Sequence, residues 1–361
     1  MNIGDTRSVT LKDVAKAAGV HVSTASRALD PSKSWRISPE TIARVNLAVE
    51  RLGYTPDMIA KGLKRGTTMM VGVVVPDLEN PFMGPMIRGI GEEVEQRGLV
   101  TVVTETLEDH DRLERALNSM LARRVDAVVV AAARNTDLYL LSEFAQKIPV
   151  FMLAVRNITA SGLSHVTQDY RHGGELAAEH LAELGHEVVA QLRGPPDIEL
   201  FEDRTEGFRR AAATSGLIEV TVSESAREVT LGEGRRLMGL TFDHNLPNPP
   251  TAVFAHADQM AIGAIEELHA RGLRCPDDVS VIGYNDAPLV SHVNPPLSTI
   301  RLPGNEIGRR AGRALIELID DPSGTHAISI PAELIVRSST AAPTSREALI
   351  ERLGAASTRA R

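Results

Sequence analysis

Asp77, Arg134, Arg156, Asp169, Arg204, Asp258 and Asn285 are polar residues that stand at or just beyond short apolar runs. Guanidinium groups grip oxygens through paired hydrogen bonds, and Asp and Asn answer as acceptors, so this set suits the capture of a small polar solute. Asn80, Pro81 and Phe82 follow Asp77 and add an amide and an aromatic wall. Bond-breaking chemistry is not written in the chain. It has no Gly-rich phosphate loop and no Gly-x-Ser-x-Gly elbow. The 11 histidines are scattered, and His165, His172, His180 and His186 lack a ligand spacing. The expectation is a binding protein with no catalytic residue, no metal and no cofactor.

A second group of polar side chains sits near the start, in "VTLKDVAKAAGVHVSTASRALD" (Val9–Asp30). Apolar residues recur there with helical spacing on both sides of Gly19, which predicts two short helices meeting at a tight turn. Thr10 can cap the first, Leu11–Ala17, with Val14 and Ala17 facing inward. Ser23 can cap or open the second, running to about Leu29. Ala25 and Leu29 make its apolar pair, so Thr24, Ser26 and Arg27 point elsewhere. This is helix-turn-helix geometry, whose second helix fits a DNA major groove. A third helix is expected from Ser38 as cap and Pro39 at the first position, with Ile42, Val45, Val49 and Leu52 along one stripe and Gly53 at its end.

Charge follows the same division. Residues 1–68 hold 11 Lys and Arg against 6 Asp and Glu, a surplus of +5, while the remainder holds 28 against 41 and stands at −13. A basic head on an acidic body favours a polyanion partner for the head alone. Between them lies "GYTPDMIAKGLKRGTT" (Gly53–Thr68), where Pro56 can start a helix and Ile59 and Leu63 share a face. So short a helix is marginal in water.

From Met69 the chain alternates β-branched runs with helical stretches: "MMVGVVVPD", "LVTVVTET", "VDAVVVAA", "IPVFMLAV", "EVVAQLRG", "TAVFAHAD" and "VSVIGYND". Continuous apolar strands between helices predict parallel sheets covered on both faces, and their number predicts two α/β lobes. Ligands bind at the strand ends of such sheets, where the polar residues above stand, joined by Arg204 at the start of the helix after "QLRGPPDIELFED". The single cysteine, Cys275, suits a reducing compartment, and no run approaches a membrane span or a secretory leader.

The stretches "TLKDVAKAAGVHVSTASRAL" and "SPETIARVNLAVERLGYTPDMIAKGLKRG" resemble the headpiece of the lactose-repressor (LacI/GalR) family of bacterial transcription regulators, and the likeness runs through the whole chain. The body is similar to periplasmic-binding-protein-like cores, in which the chain crosses between lobes three times. The resemblance implies a headpiece over 1–55, a hinge helix over 56–68 and a two-lobed core over 69–343. Lobe 1 would take about 69–168 and 300–325, and lobe 2 about 169–299 and 326–343, with crossings near Asp169, Thr299 and Thr325. A flexible tail would cover 344–361, with one amphipathic turn from Leu349 to Leu353.

The resemblance also implies roles. Base reading falls on Val22, Ser23 and Arg27, phosphate contacts on Thr10, Thr24 and Ser26, and hinge contacts on Ala60 and Leu63, the latter as a minor-groove wedge. Effector contacts fall on Asp77, Phe82, Arg134, Arg156, Arg204, Asp258 and Asn285, with Arg204 and Asn285 as ligand hydrogen-bonding positions. Some residues depart from the pattern. Asn285 stands where Asp is frequent, Ala257 where Asn is frequent, and "KGL" replaces the usual "RSL". His21 replaces a residue that is more often Ser, and its role is left open. The expected function is a cytoplasmic, ligand-responsive repressor that binds a pseudo-palindromic operator as a homodimer and responds to a sugar or related metabolite. The alternative is a solute-binding protein of the same core fold.

Overall fold

The structure, a computed structural model, describes residues 9–30, 33–55, 67–131, 134–153, 162–196, 198–220, 222–245 and 247–359. It divides into two units, Met1–Thr68 and Met69–Arg361.

The first unit is built from α1 (Leu11–Ala18), α2 (Val22–Ala28) and α3 (Pro39–Leu52). Thr10 starts α1: its backbone N–H and its hydroxyl both donate to the Asp13 carboxylate, at 2.9 and 2.7 Å. Gly19 then turns the chain in the left-handed region at φ 66°. His21, not Ser23, caps α2, its Nδ1 accepting from the Ser23 N–H at 3.3 Å. That gives His21 the role the sequence left open. Ser38 caps α3 by accepting from the Thr41 N–H, Pro39 takes the first position, and Gly53 closes it at φ 62°. Val14, Ala15, Ala18, Ala25, Ala28, Val45 and Ala48 bury one small core. Ala17 is exposed, contrary to expectation, because α2 and α3 cover the side of α1 centred on Val14 and Ala18. On α2, Ala28 rather than Leu29 is buried beside Ala25.

The second unit holds two six-stranded sheets. The first has the order β11-β5-β4-β3-β1-β2, with β1 Met70–Val75, β2 Val100–Glu105, β3 Ala127–Val130, β4 Val150–Leu153, β5 Ser164–Gln168 and β11 Ala327–Ile330, all parallel. The second has the order β12-β10-β9-β8-β6-β7, with β6 Val188–Leu192, β7 Ile218–Val220, β8 Ala252–Ala255, β9 Ser280–Asn285, β10 Ser298–Arg301 and β12 Glu333–Ile335. Only β12 runs antiparallel there. The central strands β1, β3, β4, β6, β8 and β9 are buried nearly end to end, as helices on both faces require.

The chain crosses between sheets at Asp169, at 302–303 and at 331–332. The last two fall later than the expected Thr299 and Thr325, because β10 continues through Arg301 and because Ala327–Ile330 pairs with β5 of the first sheet. Lobe 1 therefore comprises 69–168 and 304–330, and lobe 2 comprises 169–301 and 333–359. In each lobe a helix pair packs backbone to backbone through glycine: Met83–Glu95 on Gly304–Asp320, and Tyr170–Glu183 on Glu199–Thr214. A methyl on Gly308 would overlap the Met86 carbonyl, and one on Gly207 the Arg171 carbonyl.

The expected flexible tail is instead a helix, Arg346–Arg359. Leu349 and Leu353 are buried in the lobe 2 core, Arg346 pairs with Glu187 at 3.2 Å and Arg352 pairs with Asp278. The i, i+4 leucine pair docks because lobe 2 leaves an apolar strip for it. Among the described residues no helix is long and apolar enough to cross a membrane.

Candidate functional site

A cavity in the second unit lies between the lobes at the carboxyl ends of their strands. Its volume is about 110 Å³; at roughly 10–15 Å³ for one water, that is room for a small molecule rather than a few solvent molecules. Lobe 1 supplies Asn80, Phe82, Met83, Glu108 and Leu153, and lobe 2 supplies Tyr170, Phe201, Arg204, Ala257 and Asn285.

Arg204 is the centre of the site. It sits on the second turn of Glu199–Thr214 and is 2 % exposed. Its guanidinium lies 3.4 Å from the centre of the Tyr284 ring, and Tyr170 and Phe201 close around it at 5.1 and 5.2 Å. One terminal nitrogen donates to the His256 carbonyl, while the buried Nε has no partner. Among the described residues no carboxylate forms a salt bridge with it. Burial therefore lowers its pKa, with the neighbouring tyrosines opposing. His256 is the scaffold behind it. Burial, then the charge of Arg204, holds its pKa well down, so the ring is neutral; it bonds Gln191 Oε1 through Nε2 at 3.0 Å and accepts from Gly194 N–H through Nδ1.

The ring under Arg204 leads to the hinge. Tyr284 donates its hydroxyl to Gln168 Oε1 at 2.7 Å, and Gln168 Nε2 donates to the carbonyls of Arg301 at 2.8 Å and Pro331 at 3.1 Å. Gln168, Arg301 and Pro331 stand at the three interlobe crossings. One side chain thus ties all three strands of the hinge to the floor of the cavity.

The remaining expected residues separate. Phe82, Arg204 and Asn285 line the cavity. Asn285 has φ 118°, a conformation that side chains rarely adopt and that is stored at such sites. Arg134 stands behind Glu108, 3.7 Å away, and Glu108 is the residue that lines the space. Desolvation raises the Glu108 pKa. Asp77 does not line the cavity; its carboxylate accepts from Glu79 N–H at 2.7 Å and shapes the turn before Asn80. Asp258 is also removed from the ligand wall. It is buried, accepts from Ala287 N–H at 2.7 Å and Thr299 hydroxyl at 2.6 Å, and so clamps the loop after Asn285. Asp169 caps the helix at Tyr170 by accepting from His172 N–H. Arg156 lies outside the described residues. Sequence reasoning missed Glu108, Tyr170, Phe201, Tyr284 and Gln168; Tyr284 alone had a signal, in its place beside Asn285.

In the head, Ser23, Ser26 and Arg27 are exposed on α2, and Val22 and Thr24 are half-buried. Thr10 is exposed and spends its hydroxyl on Asp13. Ala60 and Leu63 lie outside the described residues. Trp35, in the short turn Ser34–Arg36, is 74 % exposed, with the Arg36 guanidinium 4.6 Å from its ring centre.

A helix-turn-helix head joined to a two-lobed core with a buried arginine in its cleft defines the class of ligand-responsive DNA-binding regulators. Residues 10–57 match the model of bacterial regulatory proteins of the lacI family, and residues 178–340 match the periplasmic binding protein-like domain. The chain is 31 % identical over 339 residues to the ribose operon repressor of Halalkalibacterium halodurans, covering 92 % of this chain and 97 % of that one. It is 30 % identical over 352 residues to the HTH-type transcriptional repressor CytR of Escherichia coli, covering 93 % and 97 %. Among solved structures, the lac repressor dimer bound to operator and the anti-inducer ONPF superposes with a TM-score of 0.84 at 26 % identity, over 93 % of this chain and all of that one. This chain belongs to the lacI family of bacterial regulatory proteins.

Proposed function

We propose that the chain is a cytoplasmic transcriptional repressor that binds a pseudo-palindromic DNA operator as a homodimer and is controlled by a small metabolite, a sugar or a related compound, in the interlobe cleft. The cleft binds its ligand and does not transform it. The observation that carries the reading is the chain of contacts from the buried Arg204 through Tyr284 to Gln168, since a ligand that meets Arg204 then bears on every crossing between the lobes. Lobe closure of this kind can change DNA affinity only through a differential preference for two states.

On α2, Arg27 is the proposed base reader, with Ser23 and Val22 beside it, and Thr10, Thr24 and Ser26 position phosphates. Ala60 and Leu63 are the proposed hinge contacts. The test is titration of a labelled duplex selected by the protein, set against random DNA. Arg27→Ala should cost about 1–3 kcal/mol on the selected duplex and much less on random DNA. An equal loss on both would make Arg27 a phosphate contact. A chain that binds solute but no duplex would be a solute-binding protein instead.

A further inference from the structure

We infer that Trp35 and Arg36 form a further DNA contact of the head, an indole and guanidinium pair that packs on the sugar–phosphate backbone at the rim of the groove entered by α2; the inference rests on the head binding a duplex. The first argument is that the indole is held outward. The Lys33 and Ser34 N–H groups both donate to the Asp30 carbonyl at 2.9 Å, and the Ile37 N–H donates to the Ser34 carbonyl at 2.9 Å. Ile37 then packs against the core of the head. Fastened on both sides, the turn leaves Trp35 74 % exposed, with the Arg36 guanidinium over its ring at 4.6 Å. An indole left in water forgoes the gain of burial, which a partner supplies.

The second argument is where the turn stands and what surrounds it. With seven residues α2 is about 10 Å long, against a major groove about 12 Å wide. A reading helix presents its first residues to the bases, so the turn that follows its last residue comes out at the groove wall, where the phosphates run. From Val22 to Ile37 the sequence holds Arg27, Lys33 and Arg36 against one acid, Asp30, and Lys33 already pairs with that acid at 3.3 Å. Cationic surroundings suit a polyanion. Deoxyribose offers the ring an apolar face, and phosphate oxygens accept from the indole N–H and the guanidinium. With a single donor the indole matches no base-pair pattern, so the contact is independent of sequence. One indole is also too small for a protein partner, since a stable interface buries about 800 Å² on each side.

Trp35 is the only tryptophan of the chain, so the intrinsic emission of the full protein reports on this contact alone. The protein would be titrated with a selected and a random duplex. On both, the emission should change and quenching by acrylamide should fall about twofold or more as the ring is covered. Trp35→Ala should weaken both duplexes by a similar factor, about tenfold, with the salt slope unchanged. Trp35→Phe should lie between that variant and the parent. Arg36→Ala should weaken both duplexes and reduce the salt slope by about 1. The thermal melt without DNA should stay the same in all three variants. Unchanged emission and quenching on a bound duplex, or full affinity in Trp35→Ala, overturns the inference and leaves the regulator reading standing. A loss confined to the selected duplex places the indole on a base and overturns the backbone assignment. A change in emission with protein concentration and no DNA seats the ring on a second copy instead. A parent protein that binds neither duplex fails the regulator reading, and the contact with it.

Discussion

Asp258 carries a carboxyl that the fold makes hard to ionise. Desolvation pushes its pKa up to about 7, against the opposing hydrogen bonds from Ala287 N–H and the Thr299 hydroxyl. Because the folded value lies above the unfolded value of about 4, the native state holds the proton longer. Its contribution to stability is full below about pH 4 and is lost as pH rises through 7. Burial also pushes the His186 ring down to about 4, which works the other way: stability is lost as pH falls from 6.5 toward 4. The two partly cancel in the whole protein, so the useful measurement is a difference. Asp258→Asn, which cannot ionise, should gain on the parent by roughly 2–4 kcal/mol between pH 5 and pH 7.5. Urea denaturation at several pH values reads this; parallel curves for parent and variant would show that Asp258 stays ionised throughout.

At the scale of elements, the hinge is a hydrogen-bond node with one removable bond. Tyr284→Phe keeps the ring beneath Arg204 and deletes the hydroxyl that donates to Gln168 and neighbours the guanidinium. Stability should fall by about 1 kcal/mol. Effector affinity without DNA should change less than threefold, while the effector's influence on operator binding should shrink. An undiminished operator response would detach the node from signalling. Glycine fixes the other dimension of the site. Gly207 lies one turn from Arg204, on the helix face against Tyr170–Glu183, and a methyl there meets the Arg171 carbonyl, which is backbone and cannot rotate aside. Gly207→Ala should cost about 1–3 kcal/mol and weaken effector binding, because separating the helices displaces Arg204. Thermal melts with and without effector measure both.

At the scale of the whole chain, the final helix is part of lobe 2. Leu349 and Leu353 are buried in its core, and the paired ends at Arg346 and Arg352 hold the helix against Glu187 and Asp278. Leu349→Ala should cost about 2–5 kcal/mol, as for other buried leucines. A loss near zero in chemical denaturation would return the segment to the status of a tail. Charge is also divided at this scale, with the +5 surplus in residues 1–68 and the acid excess in the rest. Duplex affinity should therefore fall steeply with salt through the head alone. A shallow slope in a salt series would count against electrostatic binding by the head.

Local signals were enough for much of this architecture. The caps at Thr10 and Ser38, the turns at Gly19 and Gly53, and the β-branched runs from Met70 to Asn285 each act through neighbours in sequence, so composition and spacing disclosed the three-helix head and the paired α/β lobes. The prominence of Arg204 and Asn285 over the other polar residues came from the resemblance to the family and not from local signals, but Asn285 was legible as a polar residue at a strand end and Arg204 as one at the start of a helix. Strands such as "SHVTQ", "STIR" and "AISI" were not, because their polar or short sequences become strands only beside a partner already in place. The same holds for the side chains that make the cavity work. Asp258 turned from ligand toward the loop it clamps, Glu108 came forward in place of Arg134, and Gln168 reached two carbonyls more than a hundred residues away. Those roles depend on which backbones come within hydrogen-bond reach, and only the packing of the two lobes decides that.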